Sequence, residues 1–125
     1  MLDAGVECFC ELGYASTTTE NISTRAGVSR GAMLHHFPTR FDLIKAAVPY
    51  LNHKRLEMFA TRGEEVNRDA EYTRVGEGID VYWAQLQTPV LVVFHELLVA
   101  ARTDRRLEKV LLPELEEFNT RFYKA

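Results

Sequence analysis

From Asn21 to Arg40 the chain holds three arginines (Arg25, Arg30, Arg40), two histidines (His35, His36) and no acid. Hydroxyls stand beside them at Thr18 and Ser29. Cations and hydrogen-bond donors this closely spaced suit an anionic, acceptor-rich partner. Arginine reads duplex DNA through paired bonds to guanine, so Arg30 is the first candidate for a base contact, with His35 or Ser29 as a second. Catalytic chemistry finds no comparable set. The four histidines (His35, His36, His53, His95) have no partner at metal-site spacing, and neighbours on a helix point apart. No glycine-rich phosphate loop, nucleophile elbow or paired-carboxylate site stands out. Cys8 and Cys10, two residues apart, diverge by about 200° on a helix and do not pair. The expectation is no catalytic residue, no metal and no cofactor.

Those side chains need a frame, and the local signals supply one. Thr17 with Glu20 has capping-box spacing, and Thr18 offers an alternative cap. Gly27 stands where a helix ends on a left-handed residue. Ser29 is a good N-cap for the next helix, with Val28 and Met33 at its two staple positions. Helix, turn and helix within roughly twenty residues is the size of a helix-turn-helix reader. In the second of these helices, about Arg30 to His36, Met33 and Phe37 lie four apart and dock inward. Ser29, Arg30, Ala32, Leu34, His35 and His36 are left on or near the outer surface. Gly31 costs such a helix roughly 0.5–1 kcal/mol relative to alanine, and its missing side chain lets the backbone approach another surface. Leu2, Val6, Phe9 and Leu12 mark a preceding helix that Gly13 ends, giving the short pair something to pack on.

Gly13-Tyr14, Thr17-Thr18, Ile22, Ala26-Gly27-Val28-Ser29, Gly31 and His36-Phe37 closely resemble the N-terminal domain of the TetR family of bacterial transcriptional regulators. The resemblance covers about residues 1–46, with the motif at about 18–37. It implies that Thr18, His36 and Arg40 hold phosphates, that the protein acts as a homodimer, and that further helices form an effector-binding body. Helix N-termini attract anions and arginine is a persistent cation, so the physics agrees. Ala32 stands where the family usually has threonine, and Leu34 where it usually has tyrosine. Relatives usually begin several residues earlier with a basic arm, and continue past the position of Ala125 with helices that build the dimer interface. The reading is therefore of a chain shortened at both ends, its body incomplete.

Composition fits an ordinary globular protein: 125 residues, 46% hydrophobic and 26% charged. The net charge of −3 suits a DNA binder poorly, and residues 1–46 carry four basic against five acidic residues. Distribution matters more than the sum, and the acid-free stretch leaves a local positive face. The start lacks the basic region of a signal peptide, and the longest apolar run, Pro89 to Phe94, is far too short to span a bilayer. The expected location is cytoplasmic, at the bacterial nucleoid when DNA-bound, with no membrane partner.

Beyond Pro38, Thr39 and Asp42 begin a fourth helix expected to reach about Arg62, kinked at Pro49, with residues 63–71 as a connection. Val75, Ile79, Tyr82, Trp83 and Leu86 form a helical stripe. Thr88-Pro89 opens a helix to about Arg102 that is apolar nearly all round in its first half, hence central and buried. Leu107, Leu111, Leu115, Phe118 and Phe122 form the last stripe, with a bend at Pro113. The fold class is all-α, about seven helices: a helix-turn-helix domain (1–46) and a helical effector-binding and dimerisation domain (47–125). Phe59, Tyr82, Trp83, Phe94 and His95 are the candidate effector contacts. For His95 itself, a hydrogen-bonded core histidine is the simpler reading.

Together these features describe a sequence-specific regulator, a repressor that binds a palindromic operator and is released by a small molecule. The competing reading is an interaction module that keeps the fold without specific DNA binding. Ala32 and Leu34 remove hydroxyls that would meet phosphates, which weakens affinity without retuning sequence preference. A titration of operator affinity against salt is expected to give a shallower slope than an arm-bearing relative shows; an equal slope would refute this.

Overall fold

The first helix forms where the apolar rhythm demands it, and the remaining helices are placed by what they bury against it. The computed structural model describes residues 1–66 and 74–124. Seven helices follow in order: α1 (Leu2–Leu12), α2 (Thr19–Ala26), α3 (Arg30–His36), α4 (Arg40–Val66), α5 (Arg74–Leu86), α6 (Pro89–Ala101) and α7 (Arg105–Lys124). The described residues contain no strand. None of these helices is long and apolar enough to cross a membrane.

α1 packs on α2, α4 and α6, while α4 and α6 both pack on α7. One continuous core results. Phe9, Ile22, Met33, Leu43, Ile44 and Leu51 join Val93, Leu97, Leu107 and Leu111 in it. α6 is central as its apolar first half implies, burying Leu91, Val93, Phe94, Leu97 and Ala101.

The caps decide the local boundaries. Thr18, not Thr17, caps α2: its Oγ1 accepts from Asn21 N (3.1 Å), and Asn21 Oδ1 accepts from Thr18 N (3.0 Å). Thr17 is 1% exposed and donates inward, towards Gly13 O (2.7 Å) and Cys8 O (3.2 Å). Burial resolves the ambiguity, because a buried hydroxyl needs its partners close by. Gly27 ends α2 at φ 70°, its N–H on Ser23 and Thr24 carbonyls. Thr39 and Asp42 exchange reciprocal bonds at the start of α4 (3.0 and 3.2 Å).

Two expectations change. α4 runs through Gly63 to Val66, since one glycine costs a helix only about 1 kcal/mol; residues 67–71 of the expected connection lie outside the described residues. Pro49 and Pro113 lie inside α4 and α7, where the sequence places them. Of the α5 stripe, Ile79, Tyr82 and Trp83 are exposed, Leu86 is half-buried and the Val75 side chain lies outside the described residues; among the described side chains of α5 the buried one is Gln85. α5 meets α6, and Gln85 reaches the Met58 carbonyl of α4.

Replacing Thr17 by valine keeps the shape and removes the donor to two carbonyls at the end of α1. Urea unfolding is expected to show a loss of about 1–3 kcal/mol with an unchanged m-value, the scale for a buried group left unpaired.

Candidate nucleic-acid interface

α3 is short, and its sequence alone would not hold it as a helix. Ser29 caps it by accepting from Ala32 N (3.1 Å), and Met33, fully buried, anchors it to the core. Phe37 closes it with its N–H on Met33 O (2.8 Å). One anchor leaves the rest outside: Ser29, Arg30, Gly31, Ala32, Leu34, His35 and His36 are all exposed. The His35 and His36 rings meet edge to face with centroids 5.6 Å apart. A Cβ built on Gly31 would touch nothing within 4 Å. Internal packing therefore does not require glycine there.

Charge on this side of the molecule is scarcer than the acid-free stretch suggests. Arg25 pairs with Glu11 and Glu7 of α1, because packing α1 on α2 lays those acids beside it. Arg40 turns inward as well. Its Nε donates to Thr17 O (2.8 Å) and a terminal nitrogen to Tyr14 O. Its guanidinium lies 4.4 Å from the Tyr14 ring centroid. The loop after α1 has carbonyls with no helical partner, and Arg40 satisfies them. Arg40 is thus a clamp on that loop and does not stand free as a phosphate holder. The Thr18 hydroxyl is likewise engaged, donating to Asn21 Oδ1 (2.7 Å). Among the described residues, Arg30 is the arginine of this stretch with neither ion pair nor hydrogen bond.

The four candidate effector residues with described side chains do not share one environment. Tyr82 and Trp83 are exposed, Trp83 at 63%. His95 is exposed on α6 with Nδ1 2.7 Å from Leu91 O, so it is a surface residue bonded to its own helix and not a core histidine. Phe94 alone is buried. The Phe59 side chain lies outside the described residues. Among the described residues no group of His, Cys, Asp and Glu could hold a metal ion.

What the linear reading missed is the junction between α1 and the later helices. Tyr14 N donates to Glu96 Oε1 of α6, and Tyr14 OH to Asp104 Oδ2 (3.1 Å). Arg106 lies 3.9 Å from the Phe41 ring centroid. Tyr14, Thr39, Arg40, Phe41, Ile44, Asp104 and Arg106 line a cleft of about 320 Å³ there. Glu96 in an apolar helix was the available signal, but its partner is 82 residues away.

Asp104 also caps α7, accepting from Arg106 N and Leu107 N (both 3.1 Å). The Leu107 N–H above all, then Tyr14 OH, hold its carboxyl below the ordinary 3.8. A lowered folded value means that its contribution is complete above pH 3.8 and is lost as pH falls through that lower value. Asp104→Asn is expected to lower Tm at about pH 6, with the gap from the parent narrowing as melts approach about pH 2. A gap independent of pH would refute the role.

Residues 1–47 match the family described as bacterial regulatory proteins, tetR family. An uncharacterised HTH-type transcriptional regulator of Mycobacterium tuberculosis is 30% identical over 125 residues, all of this chain and 63% of the relative. The regulator TtgR of Pseudomonas putida is 31% identical over 111 residues, 89% of this chain and 47% of its own. The repressor AcnR of Corynebacterium diphtheriae is 34% identical over 70 residues, 55% of this chain and 37% of its own. The chain thus spans less than two thirds of the length of these relatives. In fold it is similar to the multidrug binding protein EbrR, solved with imidazole, at TM-score 0.65 and 24% identity over 93% of this chain and 65% of that one. The matched family is one of regulators, not enzymes. The α1–α3 unit, with its capped α3 and left-handed Gly27 turn, has a helix-turn-helix arrangement and lies within the residues similar to the tetR family of bacterial regulatory proteins.

Proposed function

We propose that the protein is a sequence-specific DNA-binding transcriptional regulator, a repressor acting in the cytoplasm as a homodimer. The α3 helix of each protomer enters the major groove, and two such helices about 34 Å apart match a palindromic operator. A small molecule bound among α4–α7 shifts that spacing and releases the DNA, by coupling between two sites. Residues 1–46 read DNA, and 47–125 bind effector and partner. The relatives named as regulators and repressors support this reading.

The observation that carries it is the outer face of α3. Six of its seven residues are exposed, and Gly31 is a glycine that the fold itself does not need. An unneeded helical glycine weakens α3 and leaves the backbone beside Arg30 bare for close approach. Arg30 makes the base contact, with His35 or Ser29 adding a second. Ala32 and Leu34 lie against the groove wall, and His36 meets the phosphates. Thr18 and Arg40 act indirectly, fixing α2 and the loop that present those groups. Because Arg25 and Arg40 are engaged inside the protein, the phosphate grip is thin.

The exposed apolar Leu34 in that face, at 39%, favours the interaction-module reading, and DNA binding separates the two. Gel shifts against the protein's own upstream region are expected to give a specific band that Arg30→Ala abolishes. Gly31→Ala is the sharper test. It should raise stability by about 0.5–1 kcal/mol through helix propensity while weakening that band. No specific band with the parent protein, or a Gly31→Ala variant that binds as well, would overturn the proposal.

A further inference from the structure

Among the described residues of the helical body, one cation is placed where cations are rarely left. Arg55 on α4 is 9% exposed and forms no ion pair among the described residues. Its guanidinium carbon lies 3.4 Å from the Phe94 ring centroid and 3.9 Å from that of Phe118. The two rings shield the guanidinium faces and offer π attraction in place of a counter-ion. One terminal nitrogen donates to Asn52 Oδ1 (3.2 Å), and Nε, though buried, has no hydrogen-bond partner. Glu114 is linked to it only through Asn52, whose Nδ2 donates to Glu114 O (2.6 Å) and Oε2 (3.3 Å). Burial lowers the guanidinium to about 10, with the Tyr82 phenol of α5 acting in the opposite sense.

A second buried polar group of the same region is also unsatisfied. Gln85 on α5 is 4% exposed and donates through Nε2 to Met58 O (3.3 Å), less than one turn along α4 from Arg55. Its Oε1 has no partner. A buried cation and buried donors or acceptors left unpaired are costly, and a fold keeps them where something else completes them. The unpaired Nε–H asks for an acceptor, and the uncompensated charge asks for that acceptor to be an anion. The surroundings, Phe94, Phe118 and the apolar faces of α4 and α6, ask for the rest of the ligand to be apolar.

We infer that Arg55 is the anchor of an effector site selective for small carboxylates on an aromatic or apolar frame, with Gln85 as its neutral polar partner and Phe94 and Phe118 as its walls. This rests on the reading that the body binds an effector at all. It replaces a scattered set of aromatics with one charge-defined point, and of the earlier candidates it keeps Phe94 and, at the edge, Tyr82.

The test uses the full chain and three compounds of one shape and different charge: 2-naphthoate, 2-naphthamide and 2-naphthylmethylamine. Calorimetric titration is expected to show naphthoate binding at least about tenfold more tightly than naphthamide, the scale of one charge-assisted hydrogen bond, with the amine weakest. Arg55→Gln should erase the preference for the carboxylate. Glu114→Gln, at a half-exposed position, should tighten naphthoate and leave naphthamide unchanged, so the site can be judged even where Arg55→Gln does not fold. Equal binding of acid and amide, strongest binding of the amine, no binding of any of the three, or a preference that survives Arg55→Gln would overturn the inference. Operator release, followed in the same samples, separates the two claims. Carboxylate-selective binding without release refutes the effector reading and leaves the site standing. Release by the amide or the amine, with naphthoate inert, refutes the site and leaves the effector reading standing.

Discussion

The loop from Gly13 to Thr17 is where the structure has to satisfy polar backbone far from any helix of its own, and the solution ties the molecule together. Gly13 O receives the Thr17 hydroxyl, and Tyr14 O and Thr17 O receive Arg40. Tyr14 N finds Glu96 on α6, and its hydroxyl finds Asp104 at the start of α7. Side chains from α4 and α6, and the residue capping α7, thus converge on five residues. Buried backbone groups cannot be left unpaired cheaply, so this convergence fixes α1 against every later helix it meets. α3 inherits its position from that arrangement, because it is seven residues long and holds to the core through Met33.

The same requirement explains where the arginines go. A guanidinium offers five donors in a fixed fork and is the natural partner for stray carbonyls and carboxylates. Arg40 takes loop carbonyls, Arg25 takes the acids of α1, and Arg55 is enclosed by two phenylalanines. Each use is intramolecular. Arg30, on the outer face of α3, is the one in the motif that the fold leaves alone. The net negative charge of the chain and the single unengaged arginine on α3 are therefore compatible, since the other arginines of the motif are used within the fold.

Local chemistry was legible in the sequence wherever the partner lies within one helical turn. The Ser29 cap, the left-handed Gly27, the Thr39–Asp42 box and the buried spacing of Met33 follow from residues three or four apart. So does the exposure of the α3 face, since it is what one anchor on a seven-residue helix must leave over. Legibility stopped where tertiary partners decide. Nothing near Arg25 in the sequence announces Glu7 and Glu11, and nothing near Tyr14 announces Glu96. Periodicity also misplaced part of α5: Ile79, Tyr82 and Trp83 of the apolar stripe are exposed, and among the described side chains of α5 it is Gln85 that is buried. A hydrophobic stripe says which face of a helix seeks cover; it does not say which described neighbour provides it.

That limit bears on how a displacement in the helical body would reach α3. α6 carries Phe94 against Arg55 on one turn and Glu96 against Tyr14 two residues later. Residues two apart on a helix point to different sides, so α6 holds the buried cation on one side and the loop after α1 on another. A rigid helix touching both can pass on a small rotation, because packed interfaces switch between discrete arrangements and do not stretch. The loop it would move is the one Arg40 clamps, and α2 starts directly after it. One physical route from Arg55 to α3 is thus three contacts long: Phe94 to α6, Glu96 to Tyr14, and the loop to α2 and α3.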